Sequence, residues 1–211
     1  MRSLFHKHGH IIINIFLLVC LGRYTVDRGS GAIYEAYSNH TFNYAELAFF
    51  LHNIVMLTFI MLRGQHRAIE ARFIPQAIAL FAFFSGMLFV QTRTDSVLLM
   101  KSGQIVITIA MILSTVTLLN LGRSFGILIA FREVKTGGMY GVIRHPMYCV
   151  DILWRVGIVM TWPSAVNFFV FVISIAAYVY RALLEEDFLS IEPAYQRYME
   201  RVRYRFIPGV F

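Results

Sequence analysis

The stretch YAELAFFLHNIVMLTFIML, residues 44–62, decides the fold class. Its nineteen residues hold one carboxylate, Glu46, and one histidine, His52; nearly all the rest are apolar. Wound as a helix at about 1.5 Å per residue, the run is roughly 28 Å long. That matches a bilayer hydrocarbon core of about 30 Å. Its apolar residues are continuous rather than alternating, which excludes a lipid-facing barrel strand.

The same vocabulary recurs on both sides of this run. Apolar segments lie at roughly 10–22, 73–91, 103–121, 146–162 and 164–182. Pro75 stands near the start of one of them, where a helix tolerates proline. The connection TWPSAV, residues 161–166, is short enough to demand a tight helical hairpin. The pattern predicts an all-α polytopic transmembrane bundle of about five to six spans. Residues 1–211 form a single integral membrane domain, with N-terminal helices over 1–121 and a polar-rich half over 122–211. The first run, IIINIFLLVCLG, follows a basic start; it is read as a retained helix rather than a cleaved leader.

Composition supports this class. The chain is 58% apolar and 15% charged, with a formal charge of +7. In a membrane protein such an excess is explained by the positive-inside bias and anionic headgroups, so no nucleic-acid partner is expected. With the N-terminus placed in the cytoplasm, fourteen of the 19 basic residues fall in inside segments and four in outside ones. Both termini are therefore expected on the cytoplasmic face. Segments 122–145 and 183–211 then share that face and are the natural place for a water-soluble cofactor. Cys20 and Cys149 are read as small buried hydrophobes. His6, His8 and His10 are read as solvated, and no metal site is expected.

Three clusters carry chemistry. In GGMYGVIRHPMY, residues 137–148, Pro146 suits the first turn of a helix, whose free N–H groups favour an anion. Arg144 and His145 stand beside that terminus. In the following helix Tyr148, Asp151 and Arg155 are spaced i, i+3 and i+7, on one face. Asp151 and Arg155 can form an i, i+4 pair, or line a ligand pocket. In RALLEEDFL, residues 181–189, Arg181 and Glu185 have the same i, i+4 spacing. The adjacent carboxylates Glu185, Glu186 and Asp187 call for a cationic neighbour. Beyond them Tyr195, Tyr198, Tyr204 and Phe206 alternate with arginines in an amphipathic tail suited to the headgroup layer. His52 has no visible acidic partner, and Glu46 faces either a cavity or the interface.

Taken in order, LGRSFG (121–126), GGMYGVIRHPMY (137–148), RALLEEDFL (181–189) and YQRYMERVRYRFIP (195–208) resemble the isoprenylcysteine carboxyl methyltransferases and their relatives, the phospholipid N-methyltransferases. The resemblance covers roughly 120–208. It implies an integral membrane enzyme using S-adenosyl-L-methionine from the cytosol and a lipid-like acceptor from the bilayer. It implies a cofactor pocket of Arg144, His145, Pro146 and Tyr148 with Glu185 and Glu186. In it a Tyr face, Tyr140 or Tyr148, lies near the sulfonium. Asp151 or a Glu then serves as base for an amine acceptor, and Arg155 or Arg181 steers an anionic one. The family usually has glycine two residues after the motif tyrosine; here that position is Val150. A sterol-type NADPH reductase shares the Arg-His-Pro-x-Tyr pattern with Asp151 three residues on, but is normally far longer. A non-catalytic membrane scaffold is the third reading.

Overall fold

The computed structural model describes residues 15–27, 29–30, 34, 37–38, 43–62 and 66–210. The three N-terminal histidines, the start of the first apolar run and Arg2, Lys7, Arg28 and Arg63 lie outside the described residues. The architecture is all-α, as expected. Helical residues 15–27 (α1) precede α2 (Tyr44–Leu62), α3 (Phe73–Phe84), α4 (Val97–Leu121), α5 (Pro146–Thr161), α6 (Ala165–Leu189) and α7 (Pro193–Arg201).

Local chemistry sets the helix starts. The Ser96 side chain accepts from Leu99 N and begins α4; Ser164 accepts from Asn167 N and begins α6. Each satisfies one N–H that the helix itself leaves open. Pro146 and Pro193 open α5 and α7, where their fixed φ is already helical and no N–H is lost. Asn167 also braces the α5–α6 hairpin. Its amide donates to Trp162 O at 2.6 Å and to Val90 O at 2.8 Å.

Three helices among the described residues are long and apolar enough to cross a membrane: Tyr44–Leu62, Val97–Ser124 and Ala165–Leu189, with mean hydropathies of 1.8, 2.1 and 1.8. The expected spans at 73–91 and 146–162 are shorter helices. The first is α3 continued by a 3-10 turn, Ser85–Leu88; the second is α5, whose 16 residues include Asp151 and Arg155. Outward-facing residues such as Leu98, Ile105, Phe168 and Phe169 stay exposed, as a lipid-facing surface requires.

The bundle closes at a point the sequence reading did not single out. Gly103 of α4 and Gly157 of α5 face each other so closely that a Cβ on Gly103 would sit 2.8 Å from Gly157 O. One on Gly157 would sit 2.9 Å from Gly103 O. Small residues at such a crossing let two backbones approach, which is how helices pack where lipid removes the hydrophobic driving force.

A two-stranded antiparallel sheet, also unexpected, pairs β1 (Ala68–Ile69) with β2 (Ala130–Phe131) in the register Ala68↔Phe131 and Ile69↔Ala130. Gln76 at the start of α3 pins it. Its amide nitrogen donates to Glu70 O and Ile129 O, both at 2.9 Å, and its oxygen accepts from Ile129 N at 3.0 Å. This tie holds the chain after α4 against α3, forming one wall of a cavity at that end of the bundle.

Candidate functional site

The Gly-rich loop before α5 is shaped by its glycines and by the C-terminal tail. Gly138 has φ of 58°, and a Cβ there would meet Asn120 Nδ2 at 2.4 Å, so only glycine fits. The turn Gly138–Gly141 buries Tyr140, whose carbonyl accepts from Tyr198 Oη at 2.8 Å. Burial pushes the hydroxyls of Tyr140 and Tyr198 upward, so both remain protonated donors.

The tail does not lie on the surface. Tyr195, Tyr198 and Val202 are buried against Val134, Leu189 and Met199. Backbone N–H groups of Arg144 and His145 donate to Tyr204 O and Arg205 O, each at 2.9 Å, and Arg144 Nη1 donates to Val202 O and Arg203 O. Cys149 Sγ reaches Phe206 O at 3.2 Å. The surface-anchor reading of the tail is therefore corrected. Its aromatic face finds protein to bury against, and its backbone finds the donors of the Arg-His pair. Arg197, Arg201 and Arg203 face outward, as do Tyr204 and Ile207.

Glu186 fastens this arrangement. Its Oε1 accepts from Arg144 Nε at 2.7 Å and from His145 Nε2 at 2.9 Å; its Oε2 accepts from Arg205 Nε at 2.9 Å. A buried carboxylate is tolerable only when paired and hydrogen-bonded in this way. Glu186 is not among the cavity-lining residues, whereas its neighbour Glu185 is. Two adjacent carboxylates thus do different work. Glu186 locks the tail to the α5 terminus, and Glu185 faces the cavity, accepting a hydrogen bond from Tyr148 Oη.

The cavity has a volume of about 150 Å³. Tyr140, Arg144, His145, Tyr148, Asp151, Arg181 and Glu185 all line it, so the structure gathers most of the sequence-derived candidates around one space. Pro146 stands behind them at the start of α5 and Arg155 lies deeper. The ring of Tyr148 is stacked on His145 at 5.2 Å between centroids, and the Arg181 guanidinium lies 5.0 Å from the centroid of the same ring.

Two expected ion pairs do not form. Arg155 donates to the Asp151 carbonyl at 3.0 Å, to Ala82 O and to Ser85 Oγ, and it rests over the rings of Trp154 and Tyr178. The Asp151 carboxylate instead accepts from Tyr178 Oη at 2.7 Å. Arg181 donates to Ala79 O at 3.0 Å and Ile127 O at 2.7 Å rather than to Glu185. In both cases backbone carbonyls held in place by packing outcompete a flexible carboxylate one turn away. Arg181 is buried, and its Nε has no acceptor among the described residues.

Sequence reasoning missed Tyr178, which lies at i, i+3 and i+7 with Arg181 and Glu185 on α6; that spacing was the available signal. It also left His52 unplaced, and His52 lines the cavity from α2. The cavity is therefore lined by Arg181, the carboxylates of Asp151 and Glu185 and several aromatic rings, a set suited to a zwitterionic ligand with a soft cationic centre. No described cluster of His, Cys, Asp and Glu could hold a metal.

None of the curated proteins matches the chain. A family described as phospholipid methyltransferase matches residues 92–195, from the approach to α4 to the first turn of α7. The match includes Arg144, His145, Tyr148, Asp151, Arg155, Arg181, Glu185 and Glu186, and leaves out His52, Tyr198 and Arg205. Over the segment that carries the cavity, the chain thus matches the phospholipid methyltransferase family that its Arg-His-Pro and Glu-Glu motifs resemble.

Proposed function

We propose that this protein is an integral membrane methyltransferase that takes its methyl group from S-adenosyl-L-methionine and passes it to a lipophilic acceptor. The observation that carries the reading is the set of side chains around the cavity, where Arg181, Asp151, Glu185, Tyr140 and Tyr148 line one space. An amino-acid carboxylate suits the positive charge of Arg181. Glu185 suits an ammonium or ribose hydroxyls, and the rings of Tyr140 and Tyr148 suit a sulfonium. The residues present therefore fit the donor. When bound, it supplies an electrophilic methyl carbon for in-line displacement.

The chain's own share is binding, orientation and exclusion of water. Glu186 holds Arg144, His145 and Arg205 in one network, and so ties the tail to the start of α5 beside the cavity. Tyr178 fixes the Asp151 carboxylate. The basic tail residues at this end of the bundle agree with a cytosol-facing site and cytoplasmic termini. The exposed apolar belt supports membrane lipids as surroundings and as the acceptor's route.

Calorimetry of the full chain in detergent against S-adenosylhomocysteine and against NADPH tests the assignment. Binding of the first and not the second is expected. The reductase alternative needs free cations for the nucleotide phosphates, but Arg144 and Arg205 are already held by Glu186. Binding of NADPH alone would overturn the proposal.

A further inference from the structure

The cavity of the candidate site is the first of three in series. A second, of about 70 Å³, shares His52, Met56, Phe83, Asp151 and Tyr178 with it. A third, of about 330 Å³, shares Tyr24, Phe49, Gly86, Met87 and Trp154 with the second. The third opens at the far end of α5, beside Thr161 and Trp162, and at the starts of α2 and α4, beside Glu46 and Met100. The series runs through the bundle from the tail-covered end to the opposite one. The join between first and second carries three titratable side chains: His52, Asp151 and Tyr178.

His52 is poised at that join in one tautomer. The ring is buried on α2, with Nδ1 3.2 Å from Thr115 Oγ1. Thr115 has one hydroxyl proton, and it is donated to Met111 O at 2.8 Å. Toward His52 the threonine oxygen can then only accept, so Nδ1 carries the ring proton. Nε2 keeps its lone pair. Its one contact is Ser114 Oγ at 3.5 Å, the outer limit of a hydrogen bond. Across the join, the Asp151 carboxylate interacts electrostatically with the ring.

We propose that His52 Nε2 is the base that receives the acceptor's proton at this join. The acceptor is then one that arrives protonated, an amine or thiol, rather than a carboxylate, which needs no base. This rests on the methyltransferase reading above. The acceptor's N–H or S–H bond breaks and its proton passes to Nε2. The lone pair so freed bonds to the methyl carbon as the methyl–sulfur bond breaks, and that bond's electron pair stays on sulfur as a neutral thioether. Asp151 opposes the imidazolium that results. Tyr24 from α1, Arg155 from α5, and Tyr178 and Arg181 from α6 line one or both of the cavities that His52 joins, and α4 sets the hydroxyls of Ser114 and Thr115 against the ring. His52 lies outside the family-matched segment, so this base belongs to the N-terminal half.

Nitrogen NMR of histidine-labelled full-length protein in detergent near neutral pH reads the ring directly. The expected state has Nδ1 protonated and Nε2 bare. Dodecylammonium should shift the Nε2 resonance, and dodecanoate should not. A ring protonated at Nε2, or an equal response to both ligands, overturns the proposal. Thr115→Val, which removes the acceptor but keeps the volume, should produce a mixture of tautomers; an unchanged tautomer counts against it. His52→Gln should keep S-adenosylhomocysteine affinity within about twofold of wild type. It should also lose at least about a hundredfold in methyl transfer to dodecylamine. Undiminished transfer in this variant sinks the base alone. Failure of the wild-type protein to bind the homocysteine analogue sinks the methyltransferase reading and the base together.

Discussion

Arg144 Nε donates to Glu186 Oε1 across 2.7 Å, and both side chains are less than a tenth exposed. Forty-two positions separate the two residues in the chain. The contact ties the start of α5 to the end of α6 and, through Arg205, to the tail. It sets the tail beside the cavity at this end of the bundle.

Glu186→Ala leaves Arg144 and His145 buried with no carboxylate. Removing one partner from such a buried network costs about 3–5 kcal/mol. The expected result is a large fall in the detergent melting temperature, together with early proteolysis within 203–210 as the tail comes loose. A variant with wild-type melting and an intact tail would show that the network is dispensable.

Gly157→Ala tests the α4–α5 crossing. The added Cβ lies 2.7 Å from Ile107 Cγ1 and 2.9 Å from Gly103 O. The isoleucine can turn away, but the backbone carbonyl cannot. Overpacking of this kind costs about 1–3 kcal/mol, against about 1 kcal/mol gained in helix propensity. A lowered melting temperature is expected, and an unchanged or raised one would mean that the helices part without penalty.

Tyr148→Phe separates the cavity's chemistry from its packing. The ring stays between His145 and Arg181, while Glu185 loses its donor. Losing one hydrogen bond to a charged group is worth about 1.5–3 kcal/mol. Affinity for S-adenosylhomocysteine should fall by about tenfold or more, with a drop of a few degrees in melting temperature. Calorimetry and thermal denaturation on one preparation check both halves of that statement.

Much of the architecture was legible in particular residues. Pro146 marks the first turn of α5 because proline has no N–H to lose there. The spans at 44–62 and 164–182 follow from continuous apolar runs. The Arg-His-Pro segment and Glu185 were recognisable as partners of one site from motif order alone. Tyr178 was one step away, hidden because a tyrosine in an apolar helix carries no distinguishing signal without its Asp151 partner. The short β1–β2 pair gave no signal, because two-residue strands have no periodicity to read.

The sequence by itself determined that this is a helical membrane protein, where most of its helices begin, and which motifs meet at one end. Those properties depend on residue identity and on spacing within a few turns, where geometry is fixed by the helix. Only the tertiary structure decided which partner each charged side chain takes. Arg155 turns to carbonyls instead of the Asp151 carboxylate, Arg181 to Ala79 and Ile127 instead of Glu185, and Arg205 and the tail's backbone to Glu186 and the Arg-His pair instead of lipid. Several acceptors lie within reach of a buried guanidinium, and packing of distant segments selects the one already held in place.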